Sequence, residues 1–89
     1  MLYPYVTLGD GTEVLHTQII EEDGIEKVEV HFERSFEDGF VSARFILPTY
    51  EVIVRDNVSD EELSFFKELL ENNAHLIYEF ARAGGAASA

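Results

Sequence analysis

The groups in this chain that can do acid–base or metal chemistry are three histidines, His16, His31 and His75, and eighteen Asp and Glu side chains; no cysteine adds a thiolate. Two imidazoles directly across a strand pair stand with Cβ atoms about 4.5–5.5 Å apart. At that separation they can ligate one metal together, with a carboxylate as third ligand. They can also resist double protonation and so respond to pH. The register derived below sets Tyr5, His16, His31 and Arg44 in a single row across four strands, with Glu33, Gln18, Glu29 and Tyr3 as neighbours. The plainer reading is a set of half-exposed strand residues. Tyr and Arg are also favoured anchors of protein interfaces. The row is therefore read as a binding surface, together with Phe40 and Ile46 on the same face, and no metal or cofactor is assigned.

His75, between Ala74 and Leu76 on a predicted helix, reads as a surface or boundary residue. Asn57-Val58-Ser59 matches a glycosylation sequon, but Ser59 has a better role as a helix cap. There is no Gly-rich phosphate loop, HExxH, EF-hand loop, GxSxG or thiol nucleophile. With eighteen carboxylates, spacing selects no acid–base pair. A chain this small has little scope for a deep pocket. The expectation is a protein that is not an enzyme.

Eighteen acids against six Lys and Arg give a net charge of −12. Such a chain is repelled by nucleic acid, whose binding draws on cations that neutralise phosphates, and by anionic membrane surfaces. A basic protein is the partner its field attracts, chiefly through the association rate. Acidic surfaces also serve solubility alone. No stretch approaches the roughly 18–20 apolar residues of a membrane span. Met1-Leu2-Tyr3-Pro4 lacks the basic and apolar regions of a secretion signal. A cytoplasmic setting follows as the expectation, and the absence of cysteine suits a reducing compartment.

Three turn signals set the elements that position these residues: Gly9-Asp10-Gly11, Asp23-Gly24 and Asp38-Gly39. Asp-Gly suits a two-residue hairpin turn because both central positions need positive φ. Between the turns the residues alternate as strands do, with Val28, Val30 and Phe32 against Lys27, Glu29, His31 and Glu33. An Asp23-Gly24 loop places Ile19 opposite Val28 and Leu15 opposite Phe32. An Asp10-Gly11 loop places Val6 opposite Leu15. A four-residue loop Phe36–Gly39 places Val30 opposite Phe45 and Val28 opposite Leu47. Tyr50–Arg55, after Pro48, reads as a fifth strand at an edge or an extended connection.

Ser59-Asp60-Glu61-Glu62 is a capping box, and Leu63, Phe66, Leu70, Ala74, Ile77 and Ala81 recur at helical spacing until Gly84-Gly85. Asn72-Asn73 is a point where the helix could break. Phe65, Leu69, Leu76 and Phe80 form a second apolar row, either part of a wide core stripe or a contact for another chain. Together these give an α+β fold, an antiparallel four- to five-stranded meander with one C-terminal helix packed on one face. Residues 1–85 read as one domain and 86–89 as a disordered tail. The expected core is Val6, Leu15, Ile19, Val28, Val30, Phe32, Ala43, Phe45, Leu47, Leu63, Phe66, Leu70, Ile77 and Ala81. The outer face then holds Phe40, Ile46, Ile20 and Val14, enough apolar surface to suggest a homodimer or another protein partner.

Tyr3-Pro4-Tyr5-Val6-Thr7-Leu8 with its Asp-Gly turn, and Asn73-Ala74-His75-Leu76-Ile77-Tyr78 with its Gly-Gly stop, resemble an uncharacterised family of short acidic bacterial proteins often encoded near mobile elements. That resemblance implies a bacterial, cytoplasmic setting and brings no activity or functional residue. The sequence thus points to a non-catalytic protein-interaction module, antitoxin-like or DNA-mimic-like, that regulates a basic partner. The alternative is a metal- or small-ligand protein built on the Tyr5–His16–His31–Arg44 row.

Overall fold

The computed structural model describes residues 1–84. Six strands precede one helix: β1 (Tyr3–Thr7), β2 (Glu13–His16), β3 (Ile20–Glu22), β4 (Ile25–Phe36), β5 (Gly39–Leu47), β6 (Glu51–Asp56) and α1 (Asp60–Arg82). All pairings are antiparallel, in the order β1-β2-β4-β5-β6, with β3 also paired to β4. The α+β class stands, with six strands where the turn signals give four or five. The extra strand arises because β2 and β3, expected as one, are separate segments against β4.

Their separation is a bulge, and it changes the faces. Near the Asp23-Gly24 turn the expected pairs hold, Glu22 with Ile25 and Ile20 with Lys27. Both turn residues have positive φ, 53° and 78°, as the two-residue turn demands. Farther along, Val14 lies opposite Phe32, Leu15 opposite His31 and His16 opposite Val30. Thr17, Gln18 and Ile19 therefore face only Val28 and Glu29 on β4. Thr17 holds the irregularity: its N–H donates to the Glu29 carbonyl (3.0 Å), and its Oγ1 accepts from the Glu29 N–H (3.1 Å). One added residue turns every following side chain to the other face. The expected inward Leu15 is corrected to an outward, half-buried residue, and Val14 and His16, expected outward, are fully buried.

The first hairpin also differs from expectation. Leu8 N–H donates to the Thr12 carbonyl and Gly11 N–H to the Leu8 carbonyl, so Gly9-Asp10-Gly11 is a three-residue loop with Gly11 at φ 92°. Asp10 Oδ1 accepts the Thr12 N–H at 2.9 Å, the local bond that suits Asp to turns. Val6 consequently pairs with Val14 and is 42% exposed rather than core. The β4–β5 register holds from Val28–Leu47 onward, but Phe36 and Gly39 themselves pair, so the turn is Glu37-Asp38 alone and not the expected four-residue loop Phe36–Gly39. β6 is the edge strand anticipated at Tyr50–Arg55.

Ser59 caps α1, its Oγ accepting the Glu62 N–H at 3.1 Å. The reciprocal arm of the capping box is diverted: the Glu62 carboxylate takes Arg34 instead. The helix runs unbroken through Asn72-Asn73, and Gly84 at φ 87° follows its last turn. Gly85 and the expected tail lie outside the described residues. Phe66, Leu70, Ile77 and Ala81 are buried against Val28, Val30, Phe32, Ala43, Phe45 and Leu47. Phe32 stacks on Phe66 with centroids 4.2 Å apart and meets Phe45 edge-on at 5.7 Å. Val14, Val41 and Val58 complete this core, while Ile19 and Leu63 pack at its margin. Among the described residues no helix is long and apolar enough to cross a membrane.

Candidate functional site

The helix covers one face of the sheet and leaves the other open, and pairing parity fixes what stands there. His31 and Arg44 are direct partners on β4 and β5, as expected, but Leu15 and Val54 flank them. His16 points to the helix side, fully buried, with Nδ1 2.8 Å from the Thr17 carbonyl and Tyr3 at 5.8 Å between ring centroids. Tyr5 is also on the helix side, donating its hydroxyl to Asn73 Oδ1 at 2.7 Å. The four-residue row is thus divided: His31 and Arg44 share the open face with Phe40 and Ile46, while Tyr5 and His16 do not. The physical reason is the bulge for His16 and, for Tyr5, a second irregularity between Pro4 and Val6. His16 and His31 cannot meet across a strand pair. Among the described residues no three His, Asp or Glu side chains gather to hold a metal ion.

Next to the His31–Arg44 row lies one that sequence reasoning missed. Glu13 faces Glu33 across β2 and β4, Glu33 faces Ser42, and Ser42 faces Asp56 on β6. Like charges directly opposite each other destabilise a sheet. The signal available in sequence was the Glu13–Glu33 pairing itself, which appears only after the bulge is placed. These four residues, with Gly11, Arg34, Phe40, Arg44 and Val54, line an open cleft of about 740 Å³. Phe40 is 52% exposed at its edge. Arg44 bears the cleft's one cation without a carboxylate partner among the described residues, and its Nε is buried with no hydrogen bond. His31 Nε2 sits 2.6 Å from Glu29 Oε1, which ties that carboxylate down beside the row.

Of the other five Lys and Arg, all but Lys67 are held in ion pairs among the described residues. Lys27 pairs with Glu22, Arg55 with Asp60, and Arg82 with Glu26. Arg34 binds Asp10 and Glu62, and donates to Thr12 Oγ1. Five carboxylates therefore hold a Lys or Arg, which leaves thirteen of the eighteen without one among the described residues. The Asp10 carboxyl lies below the usual carboxylate range, first because the Thr12 N–H donates to it, then through the Thr12 hydroxyl and Arg34. Chemically, the open face presents a row of carboxylates and an aromatic ring, with Arg44 among them. No protein-family model, curated protein or solved structure matches the chain.

Proposed function

We propose that this protein is a small, non-catalytic interaction module that binds a basic partner protein through the open sheet face. One observation carries the reading: Glu13, Glu33 and Asp56 stand in one row, with two of them directly opposed. A lysine or arginine placed between Glu13 and Glu33 relieves their repulsion, so binding gains an energy that the free protein stores. Phe40 at the cleft edge supplies an apolar anchor for the stem of that cation. The thirteen carboxylates without a Lys or Arg partner give the long-range field that speeds encounter. An antitoxin-like or nucleic-acid-mimicking regulator, acting in the cytoplasm on a basic protein, is the biological form that this chemistry suits.

The test uses a fluorescent lysine-rich peptide without apolar residues, titrated with the whole chain at about 50 and about 300 mM NaCl. Binding that weakens steeply with salt, and weakens about tenfold in Glu13→Gln/Glu33→Gln, supports the reading. No binding at the lower salt rejects it. Tyr5 and His16 face the helix, so Tyr5, His16, His31 and Arg44 do not form one ligand row.

A further inference from the structure

Between β1 and α1 runs a groove of about 480 Å³ that differs in character from the acidic cleft. Val6 and Leu8 form one wall; Leu69, Leu76 and Phe80 form the other. The Tyr5–Asn73 hydrogen bond and the Tyr5–Phe80 ring contact at 5.8 Å tie the walls together. Burial pushes the Tyr5 hydroxyl above its ordinary pKa, which keeps it a donor. No residue of the groove carries a charge, in a chain where 27% do. Leu69, Asn73, Leu76 and Phe80 follow one another at steps of four, three and four, the spacing with which one helix receives another. Beside them on the solvent flank come Glu61, Glu68 and Glu79, all exposed and without a Lys or Arg partner among the described residues. At 3.6 residues per turn these three fall within about 20° of one another around the helix.

We propose that this groove seats a cationic amphipathic helix of the partner protein. Its apolar side lies on Val6, Leu76 and Phe80, and its Lys or Arg side lies on Glu61, Glu68 and Glu79. This rests on the basic-partner reading above and adds, on the helix side of the sheet, a second contact for the same partner. An apolar groove with an acidic rim matches an apolar stripe with a basic rim, and α1 already supplies one helix of the pair. A second copy of the chain would instead bring a further −12 and the same glutamates against this rim. An added strand is disfavoured, because Pro4 lacks an N–H and the β1 ladder is irregular between Pro4 and Val6.

The experiment compares two Leu/Lys peptides of equal composition, roughly 18 residues long. One has leucines in a helical stripe, and the other has them permuted so that no stripe forms. Binding to the ¹⁵N-labelled whole chain is followed by anisotropy and amide shifts at about 50 mM NaCl. The striped peptide should bind at least about tenfold tighter than the permuted one, with the largest shifts at Val6, Leu8, Leu76 and Phe80. Val6→Asn and Leu76→Gln should each weaken it several-fold (about 1 kcal/mol), and Glu61→Gln/Glu68→Gln/Glu79→Gln should flatten its salt dependence. Val6 is 42% exposed, so its variant keeps the fold and remains an informative test even if Leu76→Gln does not. Equal binding of both peptides with shifts at Glu13, Glu33 and Asp56 overturns the groove and leaves the open-face reading standing. Groove binding indifferent to salt and to the triple variant overturns the cationic helix. Failure of both Leu/Lys peptides and of the lysine-rich peptide rejects groove and open face together.

Discussion

Arg34 makes four side-chain hydrogen bonds, more than any other side chain among the described residues. Its guanidinium donates to Asp10 in the first hairpin loop (3.0 Å), to Thr12 Oγ1 (2.7 Å) and to Glu62 in the first turn of α1 (2.8 and 3.4 Å). Charge-assisted bonds of this kind count for more than neutral ones when the groups are partly shielded, as Arg34 and Glu62 are. Arg34→Ala should therefore lower stability by about 1–2 kcal/mol in urea unfolding, whereas Lys27→Ala at an exposed pair should cost under about 0.5 kcal/mol. Asp10 adds a pH signature. Its folded pKa lies below the unfolded value of about 3.9. The stabilisation is thus complete above that value and is lost as pH falls through the folded one. Asp10→Asn should reduce the loss of melting temperature between about pH 4 and pH 2, measured against wild type over the same range.

At the scale of elements, the decisive event is the bulge at Thr17–Ile19. Val14-Leu15 and Ile19-Ile20 each offer one apolar residue to either face, so alternation alone admits two registers. The Asp23-Gly24 turn correctly fixes β3, and extending its register without interruption carries Leu15 inward. The bond that breaks the count, Glu29 N–H to Thr17 Oγ1, depends on a tertiary neighbour that no local pattern reveals. By contrast, the register of the β4–β5 hairpin was legible because Val28, Val30 and Phe32 face Leu47, Phe45 and Ala43 without an extra residue, although its turn is two residues shorter than expected. The helix was legible for similar local reasons, from Ser59 to Gly84. The open-face pairing of His31 with Arg44 survived because it belongs to β4–β5, and the Tyr5 and His16 positions failed because they lie beyond irregular ladders. Val14→Ala should cost about 2–3 kcal/mol and Leu15→Ala clearly less, since only Val14 is fully buried. Equal costs measured by denaturant would contradict the observed register.

Over the whole molecule, most cations are committed to pairs within the chain while most carboxylates stand without a Lys or Arg among the described residues. Four of six Lys and Arg are held in ion pairs, three of them tying strands or loops to α1 or its first turn. A surplus of unpaired acids repels itself in the free protein. Glu33→Gln should accordingly raise stability by roughly 0.5 kcal/mol in chemical unfolding while weakening capture of the lysine-rich peptide. The melting temperature of wild type should rise as NaCl screens the same repulsion. The open edges of the sheet, β1, β6 and the three-residue β3, have a consequence of their own, β3 being too short to template a neighbour. β1 carries Pro4 and a break in register after it, and β6 slips register where it meets Arg44 and Phe45. A border with a misplaced step cannot serve as a mould for identical neighbours stacked in line. Brought to pH 4.3, where the net charge is near zero, the folded protein should clump without order, giving turbidity but no thioflavin fluorescence.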